Sequence, residues 1–192
     1  MIKTHNSEGK DIMKLLVFAA TNSSKSINNQ LVRYASSQIK DAEIEMLNIN
    51  DYELPLYSED RESDLGQPEL AKEFLSKIAN SDALMISFAE HNGSYTAAYK
   101  NLFDWASRIN QKVFQNKPMV LLATSPGPGG ASNVLAAATA SAPYFDGEVI
   151  ASVSVPSFYE NFDIERARIS NDEINTQLLT AVNNLADSAM LQ

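Results

Sequence analysis

The chain has 192 residues, of which 44% are hydrophobic and 20% charged, and a net charge of −9. An acidic surface of this kind repels nucleic acid and anionic lipid, so neither is an expected partner. There is no cysteine, and His5 and His91 are the sole histidines, which excludes disulfides, thiolate chemistry and Cys- or His-rich metal sites.

Residues Met1 to Asp11 are polar and lack the apolar core of a signal peptide. Residues 1–12 are expected to form a disordered extension, with Met13 as the natural start. No apolar run approaches the roughly 20 residues that span a bilayer, so a cytoplasmic protein without membrane association is expected.

The first strand is expected at Leu15 to Ala20, and a helix follows with Ile27, Leu31, Ala35 and Ile39 on one face. The second strand runs from Glu43 to Ile49, and a polar loop from Asn50 to Gly66 contains "YELPLYSED". Pro68 marks a helix start, and Leu70, Ala71, Phe74, Leu75 and Ile78 form that helix's buried stripe. The third strand is Ala83 to Phe88; after "AEHNGS" comes a helix presenting Tyr99, Leu102, Phe103, Ala106 and Ile109. The fourth strand, Met119 to Thr124, leads through "SPGPGG" into an Ala-rich helix from Ala131 to about Ala142. The fifth strand is Glu148 to Val155, and the last helix begins near Ser170, whose spacing to Glu173 suggests a capping box. No linker or repeat interrupts the chain, so residues 13–192 are read as one domain.

A βα unit repeated in this way implies a parallel sheet covered by helices on both faces. Strands one, three and four are continuous apolar runs, as buried strands are, whereas two and five alternate, as edges do. The implied strand order is 2-1-3-4-5, a flavodoxin-like α/β three-layer sandwich whose binding crevice lies at the carboxyl ends where strands one and three meet. Three loops border that crevice: "ATNSSKSINN", "AEHNGS" and "SPGPGG".

The first loop opens a helix, and a helix amino terminus offers unpaired N–H groups and partial positive charge. Thr21, Ser23, Ser24, Ser26 and Asn28 add donors that together suit a phosphate monoester. The alternative is purely local: Ser26 caps the helix and its neighbours form a turn. No glycine pattern of the dinucleotide type follows strand one, nor is there a GxxxxGK[ST] loop.

The same residues resemble the NADPH-dependent FMN reductase family, which includes quinone, chromate and azo-dye reductases. That family's first loop, GSxRxxSxN, corresponds to Ala20 to Asn28, with Ser26 and Asn28 matching and Thr21 standing for Ser. Its PEYNGS corresponds to Ala89 to Ser94, its LKNxxDW to Tyr99 to Trp105, and its SPGxxGG to Ser125 to Gly130. "LPLYSED", Leu54 to Asp60, resembles the segment after strand two. The departures are Ala20 for Gly, Ser23 for the phosphate-loop Arg, Ala89 for Pro and His91 for the flavin-flanking Tyr. Replacing Arg removes a charge-assisted contact of about 1.5–3 kcal/mol, which Lys25 offsets only as a point charge.

The resemblance implies FMN held at its phosphate by Thr21, Ser23, Ser26, Ile27 and Asn28. Ala89, Glu90, His91, Asn92 and Gly93 would line the isoalloxazine edge, with Ser125, Pro126 and Gly127 nearby. Hydride would pass from NADPH or NADH to FMN and on to a flavin, quinone or similar small-molecule acceptor, with no side chain acting as acid or base and no metal. A homodimer or homotetramer is implied as well. The alternative is a flavodoxin-like electron carrier or regulatory module without nicotinamide turnover. For single residues, Lys100 and Asp104 read as a surface pair, Trp105 as core or subunit interface, Glu90 as a contact to a partner subunit, and Tyr52 and Tyr57 as a pocket or subunit cover.

Overall fold

A computed structural model describes residues 12–190. The expected extension at residues 1–12 lies outside the described residues except for Ile12. The main sheet consists of β1 (Met13–Ala20), β2 (Ala42–Met46), β3 (Ala83–Phe88), β4 (Lys117–Thr124) and β5 (Gly147–Val155). All its pairings are parallel, in the order β2-β1-β3-β4-β5. Every residue of β3 is buried, as is nearly all of β1 and β4, because these strands are covered on both faces. Edge strand β2 leaves Ile44 38% exposed.

The helices divide between the faces. Helix α1 (Ile27–Ser37) and the C-terminal α7 (Asp172–Met190) pack their apolar stripes on one side, against Leu15, Val17, Met85 and Val120. On the other side α3 (Glu69–Ala79), α4 (Ala97–Ile109) and α5 (Ser132–Ser141) enclose Leu16, Phe18, Leu84, Ile86 and Leu121. Phe18, Phe74, Phe88 and Tyr99 meet edge to face or tilted in that second core, with centroids 5.4–6.4 Å apart.

Three local readings differ from the sequence expectation. The segment 50–66 is not all loop: a 3-10 turn spans Ile49–Tyr52, and a two-turn helix α2 (Glu59–Leu65) follows. Ser58 caps α2 by accepting from the Arg61 N–H, and Glu59, Asp60 and Glu62 favour its positive end. The cap of α7 is Asn171 rather than Ser170, since its Oδ1 accepts from the amides of Glu173 and Ile174 at 3.1 and 3.2 Å. The stretch between β5 and α7 holds a single turn α6 (Phe158–Asn161) and a two-residue hairpin, β6 (Phe162–Asp163) with β7 (Arg168–Ile169). Their alternating pattern is too short to register as strands.

Candidate functional site

The register of the sheet brings three loops to one edge. Ala20 lies level with Phe88, and Phe88 with Ala123, so the chain leaves β1, β3 and β4 at the same height. This is the carboxyl-terminal rim at the point where connections diverge to either face. Thr96, which caps α4, also donates to the Ala20 carbonyl at 3.0 Å and ties the second loop's exit to the first loop's start.

In the first loop Thr21 is buried, and its Oγ1 accepts from the Ser23 N–H at 3.2 Å. Ser23, Ser24 and Lys25 are exposed. Ser26 caps α1, accepting from the Asn28 N–H at 3.1 Å. The local reading of Ser26 as a cap therefore holds, yet it leaves donors over. The amides of Ser24, Lys25, Ile27 and Asn29 have no hydrogen-bond partner among the described residues. Asn28 does something different from the phosphate donor expected of it. Its side chain is buried and turned into the protein, where Oδ1 accepts from Ser87 Oγ at 2.8 Å and from the Thr124 N–H at 3.1 Å. Its Nδ2 donates to the Thr124 carbonyl at 3.2 Å. Asn28 thus fastens the start of α1 to β3 and β4, because buried polar groups in the sheet must find partners.

The second loop is a tight turn. The His91 N–H donates to the Ser94 carbonyl at 2.9 Å and the Ser94 N–H to the His91 carbonyl at 3.1 Å. Between them Asn92 and Gly93 have φ of 52° and 76°, the pair of left-handed positions a type I′ turn requires and Asn-Gly supplies. The amides of Asn92 and Gly93 are without partners among the described residues, and His91 is exposed beside them. Glu90 is not a free group for a partner subunit. Its carboxylate accepts from the Val134 N–H at 2.9 Å and so caps α5, whose own N-cap residue, Ala131, has no side-chain oxygen to offer.

The third loop is braced against the segment after β5. Ser125 and Gly127 carbonyls accept from the Phe158 and Ser157 amides at 3.0 and 2.9 Å. Gly130 has φ of 58°, and a Cβ there would collide with Ser154 Oγ, which donates to the Gly130 carbonyl at 2.8 Å. Around Gly127 and Gly129, by contrast, a Cβ would meet nothing within 4 Å, so this rim is open.

Two cavities flank the loops. One, of about 270 Å³, lies on the β2 side and is lined by Thr21, Ser24, Asn29, Arg33, Asn48 and Asn50 among others, with no carboxylate side chain. The other, about 210 Å³, lies between α4 and α5 and is walled by aromatic and apolar residues such as Phe88, Tyr95, Tyr99 and Phe103. Lys100 and Asp104, which line the second cavity, form the expected surface pair at 2.6 Å. Burial holds the Tyr99 hydroxyl well above its ordinary pKa.

The residues around "LPLY" are structural. Trp105 is fully buried and donates to the Pro55 carbonyl at 2.7 Å. Asn101 Nδ2 donates to the Leu54 carbonyl at 3.0 Å, while its Oδ1 accepts from the Tyr57 N–H at 2.8 Å. Tyr57 packs edge-on against Trp105 at 5.1 Å. Tyr52 is not a cover: it is buried against Phe74, and burial, with Glu73, Glu45 and Asp51 nearby, pushes its hydroxyl up to about 12. Asn101 and Trp105 of α4 therefore clamp the segment after β2, while Lys100 and Asp104 pair with each other. The roles of Glu90 and Asn28 were not legible in the sequence, although a residue without a polar side chain where α5 begins was a clue that its cap comes from elsewhere.

The chain is similar to several known proteins. A 2-hydroxy-1,4-benzoquinone reductase from a Burkholderia species is 38% identical over 117 residues, covering 60% of this chain and 62% of the relative. An NAD(P)H-dependent FMN reductase from Pseudomonas aeruginosa is 33% identical over 118 residues, covering 61% and 62%. The chain thus matches less than two thirds of the length of these curated relatives. Among solved structures, a flavoenzyme NAD(P)H:(acceptor) oxidoreductase from Paracoccus denitrificans superposes with a TM-score of 0.72 at 25% identity, covering 93% of this chain and 97% of that one. The profile described as NADPH-dependent FMN reductase matches residues 13–160, which takes in all five main-sheet strands and all three rim loops. With sheet order, rim loops and profile in agreement, the chain belongs to the NADPH-dependent FMN reductase family.

Proposed function

We propose that the protein is an FMN-dependent NAD(P)H oxidoreductase that reduces a flavin, quinone or similar small-molecule acceptor. The observation that carries this reading is the first loop: four unpaired amides and a set of hydroxyls at the start of α1, on the rim where β1 and β3 diverge. That donor set fits a phosphate monoester, since it offers N–H and O–H groups and no carboxylate competes for them. Bound FMN would supply hydride acceptance from NADPH or NADH and electron delivery to the acceptor.

The chain's own residues then bind and orient. Thr21, Ser23, Ser26 and the amide of Ile27 hold the phosphate, while Asn28 fixes the turn that presents them. Ala89, Glu90, His91, Asn92 and Gly93 line the ring edge, where the free amides of Asn92 and Gly93 favour negative charge. Ser125, Pro126 and Gly127 form the facing rim, which the open space at Gly127 keeps accessible. Family membership favours this reading over an electron carrier. We assign residues 13–192 to one domain acting in the cytoplasm as a homodimer or homotetramer; among the described residues no helix is long and apolar enough to cross a membrane.

The test is a visible spectrum of the purified protein titrated with FMN, followed by NADPH or NADH without oxygen. A perturbed flavin spectrum that bleaches on nicotinamide addition and recovers with a quinone is expected. An unperturbed spectrum would sink the proposal, and perturbation without bleaching would favour the carrier.

A further inference from the structure

We infer that Arg33, on the second turn of α1, supplies the cationic partner of the flavin phosphate. This rests on the FMN reading above. A phosphate monoester brings close to two negative charges into a chain whose own net charge is −9. The first loop meets it with neutral hydroxyls and amides, and at Ser23 it has no cation to offer. Lys25, the loop's own positive residue, is exposed, as Arg33 is, but does not line the polar cavity.

Arg33 does line it. The guanidinium-bearing side chain shares that cavity with Thr21 and Ser24 of the loop and with Asn29 of the first turn of α1. Helix geometry explains how. Arg33 follows Asn29 by four residues, which puts both on one face, and long helical side chains lean toward the amino terminus. Seven residues separate Arg33 from the cap, about 10 Å of rise, much of which an extended Arg side chain covers. Two further facts bear on the residue. Like Arg61, Arg168 and Lys25, Arg33 makes no ion pair with any described residue. No Asp or Glu lines the cavity. A guanidinium kept free of internal carboxylates, beside unpaired amides, is arranged for an anion that comes from outside.

The experiment titrates FMN and riboflavin into flavin-free protein and reads flavin fluorescence. It compares the wild type with Arg33→Ala, Arg33→Gln, Arg33→Lys and Lys25→Ala. Arg33→Ala and Arg33→Gln should each weaken FMN binding about tenfold, the scale of one charge-assisted contact, while riboflavin binding stays within about twofold. Arg33→Lys should recover part of the loss, and the wild type's FMN affinity should depend more steeply on salt than that of Arg33→Ala. Lys25→Ala should change FMN affinity less than about twofold.

Equal FMN affinity in wild type and Arg33→Ala would overturn the inference while leaving the FMN reading intact. So would an Arg33→Ala loss shared equally by riboflavin, or a loss confined to Lys25→Ala. A variant that binds FMN normally but is impaired with NADPH and not NADH would also overturn it, assigning the cavity to the extra phosphate of the nicotinamide. No binding of FMN by the wild type would remove both readings together.

Discussion

Helices α1 and α5 start on the same rim, one after β1 and the other after β4, and meet the same electrostatic problem in opposite ways. Each presents unpaired amides and the positive end of its dipole. At α5 the problem is solved internally: Glu90, from the neighbouring loop, places a carboxylate 2.9 Å from the Val134 N–H. At α1 the cap is Ser26, which satisfies the Asn28 amide and leaves those of Ser24, Lys25, Ile27 and Asn29 open. One terminus carries its own anion. The other has none of its own, and Arg33, which lines the polar cavity beside it, makes no ion pair among the described residues.

The comparison can be broken most severely at Asn28. Asn28→Ala removes the side chain that serves Ser87 and both backbone groups of Thr124, leaving buried partners unsatisfied. A loss of about 3 kcal/mol is expected, read from the urea midpoint. A loss below 1 kcal/mol would mean that α1 is held chiefly by its apolar face.

Next comes the built-in anion. Glu90→Ala should cost about 1.5 kcal/mol in the same assay, and a phosphate-responsive increase in Tm should then appear that the wild type lacks at that terminus. An unchanged midpoint would show that α5 does not depend on the cap. Ser26→Ala should cost about 1 kcal/mol and weaken FMN binding, since it removes both a cap and a hydroxyl from the proposed cradle. Loss of stability without loss of FMN affinity would return Ser26 to capping alone.

The smallest change in stability comes from exchanging the two strategies. Asn29→Asp gives the first turn of α1 a fixed carboxylate, as α5 has. The apoprotein should gain about 0.5 kcal/mol and FMN affinity should fall by an order of magnitude or more through like-charge repulsion. Gain without loss would mean that the anion site lies away from this turn.

Much of the architecture was legible because it follows from local patterning. The continuous apolar runs at Leu15 to Ala20, Ala83 to Phe88 and Met119 to Thr124 report burial on both sheet faces, and burial on both faces dictates central strands. The stripe at Ala71, Phe74, Leu75 and Ile78 is buried as its spacing requires. Helix α2 escaped because seven mostly charged residues carry no apolar periodicity, and only the Ser58 cap and the acidic first turn define it. Ser170 was favoured over Asn171 by a spacing rule, but two amides are within reach of the Asn171 carbonyl and so it takes the cap.

By itself the sequence determined the sheet order, the three rim loops and the surplus of small donors after β1, since strand burial and turn chemistry depend on a residue and its near neighbours. Tertiary structure alone decided which polar groups are used up inside the protein and which remain for a ligand. Asn28 and Glu90 are spent on β3, β4 and α5, while the amides at Ser24, Lys25, Ile27 and Asn29 and the Arg33 guanidinium are not. The reason is that a hydrogen bond is settled by what stands opposite in space, at separations of 59, 96 and 44 residues along the chain. No local pattern encodes such distances.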